Sequence, residues 1–235
     1  MDILIRNRCH HNYNEHSHCH ANGRIPGAQN VWPKKGINHR KKVIVIPFAR
    51  HYNSIKVMLV KDKRSGDYAF LSGGVKANES VMQAAMRELN EETYGAMSES
   101  DIIGSPYIKQ LNFTNSFRPQ HRDESIEIRK KFGEHYPNGI TELCHIIVFE
   151  VPHEKIENVL FSYHESFKSI QTRKDMDQCI ETTNVIFEDI KSVTKWERDQ
   201  MRGRCCSPDA NGIHLWDVHV KNGLAMRVRT ALMGA

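Results

Sequence analysis

The stretch "GGVKANESVMQAAMRELNEETYG", Gly73 to Gly95, decides how this chain is read. Two glycines open it; Glu79, Arg87, Glu88, Glu91 and Glu92 follow. An α-helix advances about 100° per residue, so Glu88, Glu91 and Glu92 fall within an arc of roughly 100°. Met82, Ala85, Met86, Leu89 and Thr93 form a neighbouring stripe able to pack on a sheet. The spacing predicts a helix from Glu79 to about Thr93, with Asn78 as N-cap and Glu79 in the first turn against the positive end of the dipole. Such a helix can be anchored by its apolar stripe while its acidic edge faces a cleft.

Carboxylates this close repel, and like charges at i,i+4 cost a helix about 0.2–0.5 kcal/mol per pair. The ordinary outcome for an acidic run is a solvated face, with Arg87 or Lys76 making surface pairs. The glycine pair ahead of the helix favours a more specific arrangement, since glycine permits close backbone approach where a strand turns toward a helix. A hard divalent cation, Mg²⁺ or Mn²⁺, prefers carboxylate oxygen and would offset the repulsion while neutralising substrate phosphates.

On these residues the chain resembles the Nudix hydrolase superfamily, whose signature reads G-x5-E-x7-R-E-U-x-E-E-x-G-U with U a bulky aliphatic residue. Gly73, Glu79, Arg87, Glu88, Leu89, Glu91 and Glu92 stand at matching positions. The final glycine does not: Tyr94 occupies its slot and Gly95 comes one residue late. The resemblance implies an α/β/α sandwich around a mixed sheet, with the motif as a loop-helix-loop. It also implies hydrolysis of the pyrophosphate linkage in a nucleoside diphosphate joined to another moiety, by Mg²⁺ or Mn²⁺. Glu88, Glu91 and Glu92 would hold the metal, with Glu91 or Glu92 a candidate base. Arg87 would orient a motif glutamate with Glu79 as its partner, and Gly73, Gly74 and Leu89 would support the motif. A further carboxylate near the return strand is expected: Glu181 is the candidate, with Glu142 and Glu150 as rivals.

The rest of the chain supplies elements compatible with that fold. "KKVIVIPFAR" (Lys41 to Arg50) and "IKVMLVKDKR" (Ile55 to Arg64) read as a β-hairpin, and "YAFLSGG" (Tyr68 to Gly74) as a short strand running into the glycine loop. "PYIKQLNFTN" and "ITELCHIIVFEVP" read as later strands, "EKIENVLFSYHESFK" as a helix, and "TTNVIFEDI" as a return strand before one or two terminal helices. Strands and helices so mixed predict an α+β fold. The domain is expected over 41–235, with a charged insertion near 116–139 and a C-terminal helical extension.

Residues 1–40 form a separate His- and Cys-rich arm or small metal-binding segment. Cys9, His18, Cys19 and His20 are ligand types that zinc prefers, without a standard paired spacing. No apolar run approaches the roughly 18 residues of a membrane span, and no signal-peptide core opens the chain. The expectation is an intracellular, cytoplasmic protein with reduced cysteines. A net charge of +5 suits phosphorylated partners without singling out nucleic acid. The basic stretches at Trp32–Lys42 and Arg118–Lys131 keep capped RNA beside small nucleotides as a substrate. Trp196 and Trp216 are read as core residues, and His145 as a satisfied structural histidine. The alternative reading is a non-catalytic Nudix-like module that binds a nucleotide or RNA as sensor or adaptor.

Overall fold

β-Branched and aliphatic residues from the "KKVIVIPF" run form β1 (Asn38–His51), which starts three residues before the expected boundary and organises the whole sheet. The computed structural model describes residues 38–117, 140–173, 180–203 and 213–233. The arm with Cys9, His18, Cys19 and His20, and nearly all of the charged insertion, lie outside the described residues.

A tight turn after His51 leads into β2 (Ser54–Asp62), antiparallel to β1 over Phe48–His51. The expected "YAFLSGG" strand is divided in two. β3 (Tyr68–Ala69) pairs with the far end of β2, whereas β4 (Leu71–Gly74) pairs antiparallel with Lys42–Val45 of β1. β1 therefore changes partner along one edge, from β4 to β2. Pro47, which has no N–H to donate, sits in the gap between the two pairings.

On its other edge β1 runs parallel to β6 (Ile140–Glu150), which pairs antiparallel with β5 (Ile108–Phe117). β7 (Thr182–Asp189) pairs antiparallel with β2 and is the expected return strand. Parallel and antiparallel neighbours of one strand make the sheet mixed, with seven strands among the described residues.

Period-two alternation splits the apolar residues between two layers. Val43, Val45, Met58, Leu71, Ile147 and Phe149 pack on one face against α1 (Val81–Glu92), α2 (Glu99–Ile103) and α3 (Lys155–Gln171). Ile44, Ile46, Phe48, Leu59, Ile146 and Val148 pack on the other, against α4 (Ile190–Met201), α5 (Asp217–Lys221) and α6 (Leu224–Met233). The result is the expected three-layer α/β/α arrangement, with three helices where one or two were expected at the C-terminal end.

α6 is docked by an uncommon cap. The carboxylate of Glu197, on α4, accepts from the N–H groups of Ala225 (2.7 Å) and Met226 (3.0 Å). Burial of Glu197 raises its pKa, and those two donors work against the rise. A side chain of α4 thus answers the positive end of α6.

Candidate functional site

The motif helix begins later than its sequence predicts. Ser80 is the N-cap, and the cap is reciprocal: Gln83 N–H donates to Ser80 Oγ (3.1 Å), and Ser80 N–H donates to Gln83 Oε1 (2.8 Å). Asn78, expected as N-cap, instead has φ +66 and turns the chain into the helix. Glu79 is thereby removed from the first turn, and its carboxylate goes elsewhere.

It goes to Arg87. Arg87 Nε donates to Glu79 Oε1 (2.8 Å) and Nη2 to Glu79 Oε2 (3.0 Å), a bidentate pair. Nη2 also reaches the carbonyl of Gly74 (2.8 Å), while Nη1 donates to Glu88 Oε1 (2.5 Å) and Glu91 Oε2 (3.2 Å). All five guanidinium N–H groups are engaged, which no lysine could reproduce. Burial works against the charge of Arg87, but Glu79, Glu88 and Glu91 outweigh it and hold the pKa above its ordinary value.

Glu88 lies directly over β4. A Cβ at Gly73 would fall inside the space of the Glu88 carboxylate, so Glu88 keeps this position only with glycine there. Gly74 has open space around it and contributes its carbonyl to Arg87. Leu89 is fully buried in the core between α1 and the sheet and anchors the helix there.

Glu88 and Glu92 are 6% and 8% exposed, far less than charged residues on a solvated face. Glu92 Oε1 accepts from the backbone N–H of Ser72 on β4 (3.1 Å). Burial first, then the charges of Glu88 and Glu181, push Glu92 well above the usual carboxylate range; Ser72 and Lys42 oppose the rise. Glu88 is also raised, by burial ahead of Glu91 and Glu181 and against the pull of Arg87. Glu181 thus acts on both buried carboxylates. Its rivals face other partners: Glu142 acts on Lys42, and Glu150 pairs with Arg50 at 2.9 Å. Among the described residues no three His, Cys, Asp or Glu side chains stand close enough to hold a metal ion as arranged.

The tertiary structure adds residues that the motif did not single out. Lys42 of β1 has its Nζ 4.7 Å from the centre of the Trp216 ring, and burial lowers its pKa against the pull of Glu142, Cys144, Glu92 and Glu88. A signal existed: Lys42 has the same strand parity as buried Ile44 and Ile46, which places a charge on the inward-facing side. Trp216, read from the sequence as a core residue, belongs to neither core cluster; it is half-buried and carries this cation on its face. Trp196, on α4, is half-buried against the core. Cys144, between Lys42 and Phe113 in strand register, is pushed up to about 11 by burial and then by Glu142, so it is held as a thiol.

His145 differs from its expectation. Its Nδ1 meets Asn112 Oδ1 at 2.8 Å, but its buried Nε2 has no hydrogen-bond partner among the described residues. Burial, then Lys41, lowers its pKa and keeps the ring neutral.

At the helix exit, Tyr94 takes φ +52 in the slot of the motif glycine, and Gly95 follows at φ +78. The displaced glycine is accommodated by two consecutive left-handed residues rather than by a longer helix.

A NUDIX domain family model matches residues 38–181. That span covers more than half of the sequence, and the chain belongs to the NUDIX family. Among solved structures, the chain is similar to the NUDIX domain of Shewanella oneidensis NrtR complexed with ADP ribose. The identity is 16%, the TM-score 0.44, and 86% of this chain and 94% of that chain are covered. It is similar also to a C. elegans Ap4A hydrolase, at 10% identity and TM-score 0.40, covering 83% of this chain and 98% of the other. A comparison with curated protein sequences returns no match.

Proposed function

We propose that the chain is a divalent-metal-dependent Nudix pyrophosphohydrolase. Its substrate would be a nucleoside diphosphate linked to another moiety, either a small nucleotide or an RNA cap. The observation that carries this reading is the burial of Glu88 and Glu92 on α1, where burial first, and then Glu91 and Glu181 at Glu88 and Glu88 and Glu181 at Glu92, disfavour the charged carboxylates. Two mutually repelling buried carboxylates gain from a cation, and oxygen donors of this type suit Mg²⁺ or Mn²⁺.

The residues fit that ion in donor chemistry. Glu88 and Glu92 would hold it, Glu91 and Glu181 would complete its surroundings, and Gly73 leaves the space that Glu88 needs. When bound, the ion supplies an activated water and neutralises phosphate charge. Arg87 keeps Glu88 and Glu91 oriented between its own hydrogen bonds, and Glu79 holds Arg87 in turn. Lys42, on the sheet face opposite α1 and against Trp216, favours the charged form of Glu92 through its own charge. Glu91 and Glu92 are the candidates for general base.

A second reading, a nucleotide- or RNA-binding sensor without turnover, is favoured by one observation. Arg87 Nη1 draws Glu88 and Glu91 to itself, and no three carboxylates of the described residues converge. Mass-spectrometric product analysis separates the two. Wild type, Glu91→Gln and Glu92→Gln would be incubated with Mg²⁺ or Mn²⁺ and nucleoside triphosphates, ADP-ribose, dinucleotide polyphosphates or capped RNA. Metal-dependent products from wild type, sharply reduced in both variants, support the hydrolase, and the preferred compound chooses small nucleotide or cap. A folded wild type that binds one of these compounds and releases no product supports the sensor. The zinc reading of Cys9, His18, Cys19 and His20 is tested separately by the zinc content of the purified chain.

A further inference from the structure

We propose that Tyr94 is a positioning residue: its hydroxyl fixes the backbone at Glu181 so that this carboxylate stands with Glu88 and Glu92. This rests on the metal-site reading above and deepens it.

Tyr94 occupies the motif's glycine position in a left-handed conformation that is unfavourable for a residue with a Cβ. Its surroundings hold it there. The ring is 6% exposed and lies beside those of Tyr163 (5.4 Å between centroids) and Phe167 (6.0 Å), both on α3. The hydroxyl accepts from the N–H groups of Glu181 (3.1 Å) and Thr182 (2.9 Å) and donates to the carbonyl of Thr182 (2.6 Å). The carbonyl of Glu181 is held independently by the N–H of Lys63 (2.9 Å). Both backbone polar groups of Glu181 are therefore fixed, although its side chain is exposed.

The same junction is tied to α1 a second time. Thr182 Oγ1 donates to the carbonyl of Glu92 (2.9 Å) and lies 3.0 Å from Tyr163 Oη. The end of the motif helix and the start of β7 thus move as one piece, with Glu92 on one side of the junction and Glu181 on the other. A glycine at position 94 would take the left-handed conformation at no steric cost but would offer β7 no acceptor. Ring packing alone would need no hydroxyl. The hydroxyl's bond to the N–H of Glu181 is what separates positioning from packing.

The test measures Mn²⁺ affinity of the full chain by calorimetric titration, alongside thermal melts, for wild type, Tyr94→Phe, Glu181→Gln and the double variant. Loss of a partner that orients a metal ligand weakens binding by about 10- to 100-fold. Tyr94→Phe should therefore weaken Mn²⁺ binding by ~10-fold or more. The double variant should bind no more weakly than Glu181→Gln alone, because the hydroxyl acts through that carboxylate. A folded Tyr94→Phe that melts lower but binds Mn²⁺ as wild type does would overturn the inference and leave the metal site standing. Additive losses in the double variant would also overturn it. Should Tyr94→Phe not fold, Glu181→Asp decides: a pinned backbone cannot follow the shorter side chain, so affinity must fall as far as in Glu181→Gln, and retained affinity refutes the pinning. A wild type that binds no Mn²⁺ would overturn the metal-site reading and this inference with it.

Discussion

The carboxylate of Glu88 occupies the space that a side chain at Gly73 would need. The contact joins the helix to β4 with nothing between them, and the obstructed atoms belong to the movable end of a glutamate. Gly73→Ala should therefore fold, because Glu88 can swing away, but the swing takes an oxygen of the proposed metal ligand out of its place. Turnover is expected to fall by about 100-fold, the scale of a misplacement near 1 Å, with a melting temperature within a few degrees of wild type. Parallel kinetics and thermal melts check this, and full activity would show that Glu88 need not sit on the strand.

Arg87 gives a different pattern, because its bonds serve folding as well as orientation. Arg87→Lys keeps the charge but loses the fork that links Glu79, Glu88, Glu91 and the Gly74 carbonyl. The expected outcome is a loss of about 2 kcal/mol in denaturant unfolding, on the scale of hydrogen bonds to charged groups, together with lower turnover. Glu79→Gln should show the same two effects more weakly, since it leaves Glu88 and Glu91 paired.

The raised pKa of Glu92 predicts a stability profile whose direction can be checked. The folded chain binds the Glu92 proton more tightly than the unfolded chain, whose reference value is 4.5. The corresponding stabilisation is complete below that value and is lost as pH rises through the folded-state pKa. In EDTA, Glu92→Gln should match wild type at acidic pH and melt several degrees higher at neutral pH, while its turnover collapses. Its Oε1 can still accept from Ser72. Melts from pH 4 to pH 8, with and without Mn²⁺, measure this; a variant less stable than wild type at neutral pH would refute the repulsion argument.

Glu197 provides the control remote from the carboxylates. Glu197→Ala removes the acceptor for the buried N–H of Ala225 and the partly buried N–H of Met226 at the start of α6. The expected loss is about 1–3 kcal/mol of unfolding free energy with unchanged turnover per folded molecule. A specific loss of activity would connect the C-terminal helices to catalysis.

Much of this was legible from residue order. Helical spacing placed Glu88, Glu91 and Glu92 on one edge, and a β-branched run marked β1 as a strand. The start of the motif helix was misread because Asn78 and Ser80 are both good caps; Gln83, three residues after Ser80, decides between them. The split of "YAFLSGG" into β3 and β4 was not legible, because it depends on β2 leaving β1 and not on local propensity.

The sequence by itself determined the family resemblance, through residues that match the signature, and the mixed α+β order and the acidic helix edge, which follow from periodicities along the chain. Only the tertiary structure decided that Glu88 and Glu92 are buried and that Lys42 lies against Trp216. It also decided that the backbone N–H of Glu181 is bonded to the Tyr94 hydroxyl. Those relations join residues far apart in the chain, and they are set by sheet register and by which helix covers which face. Local spacing carries no record of either.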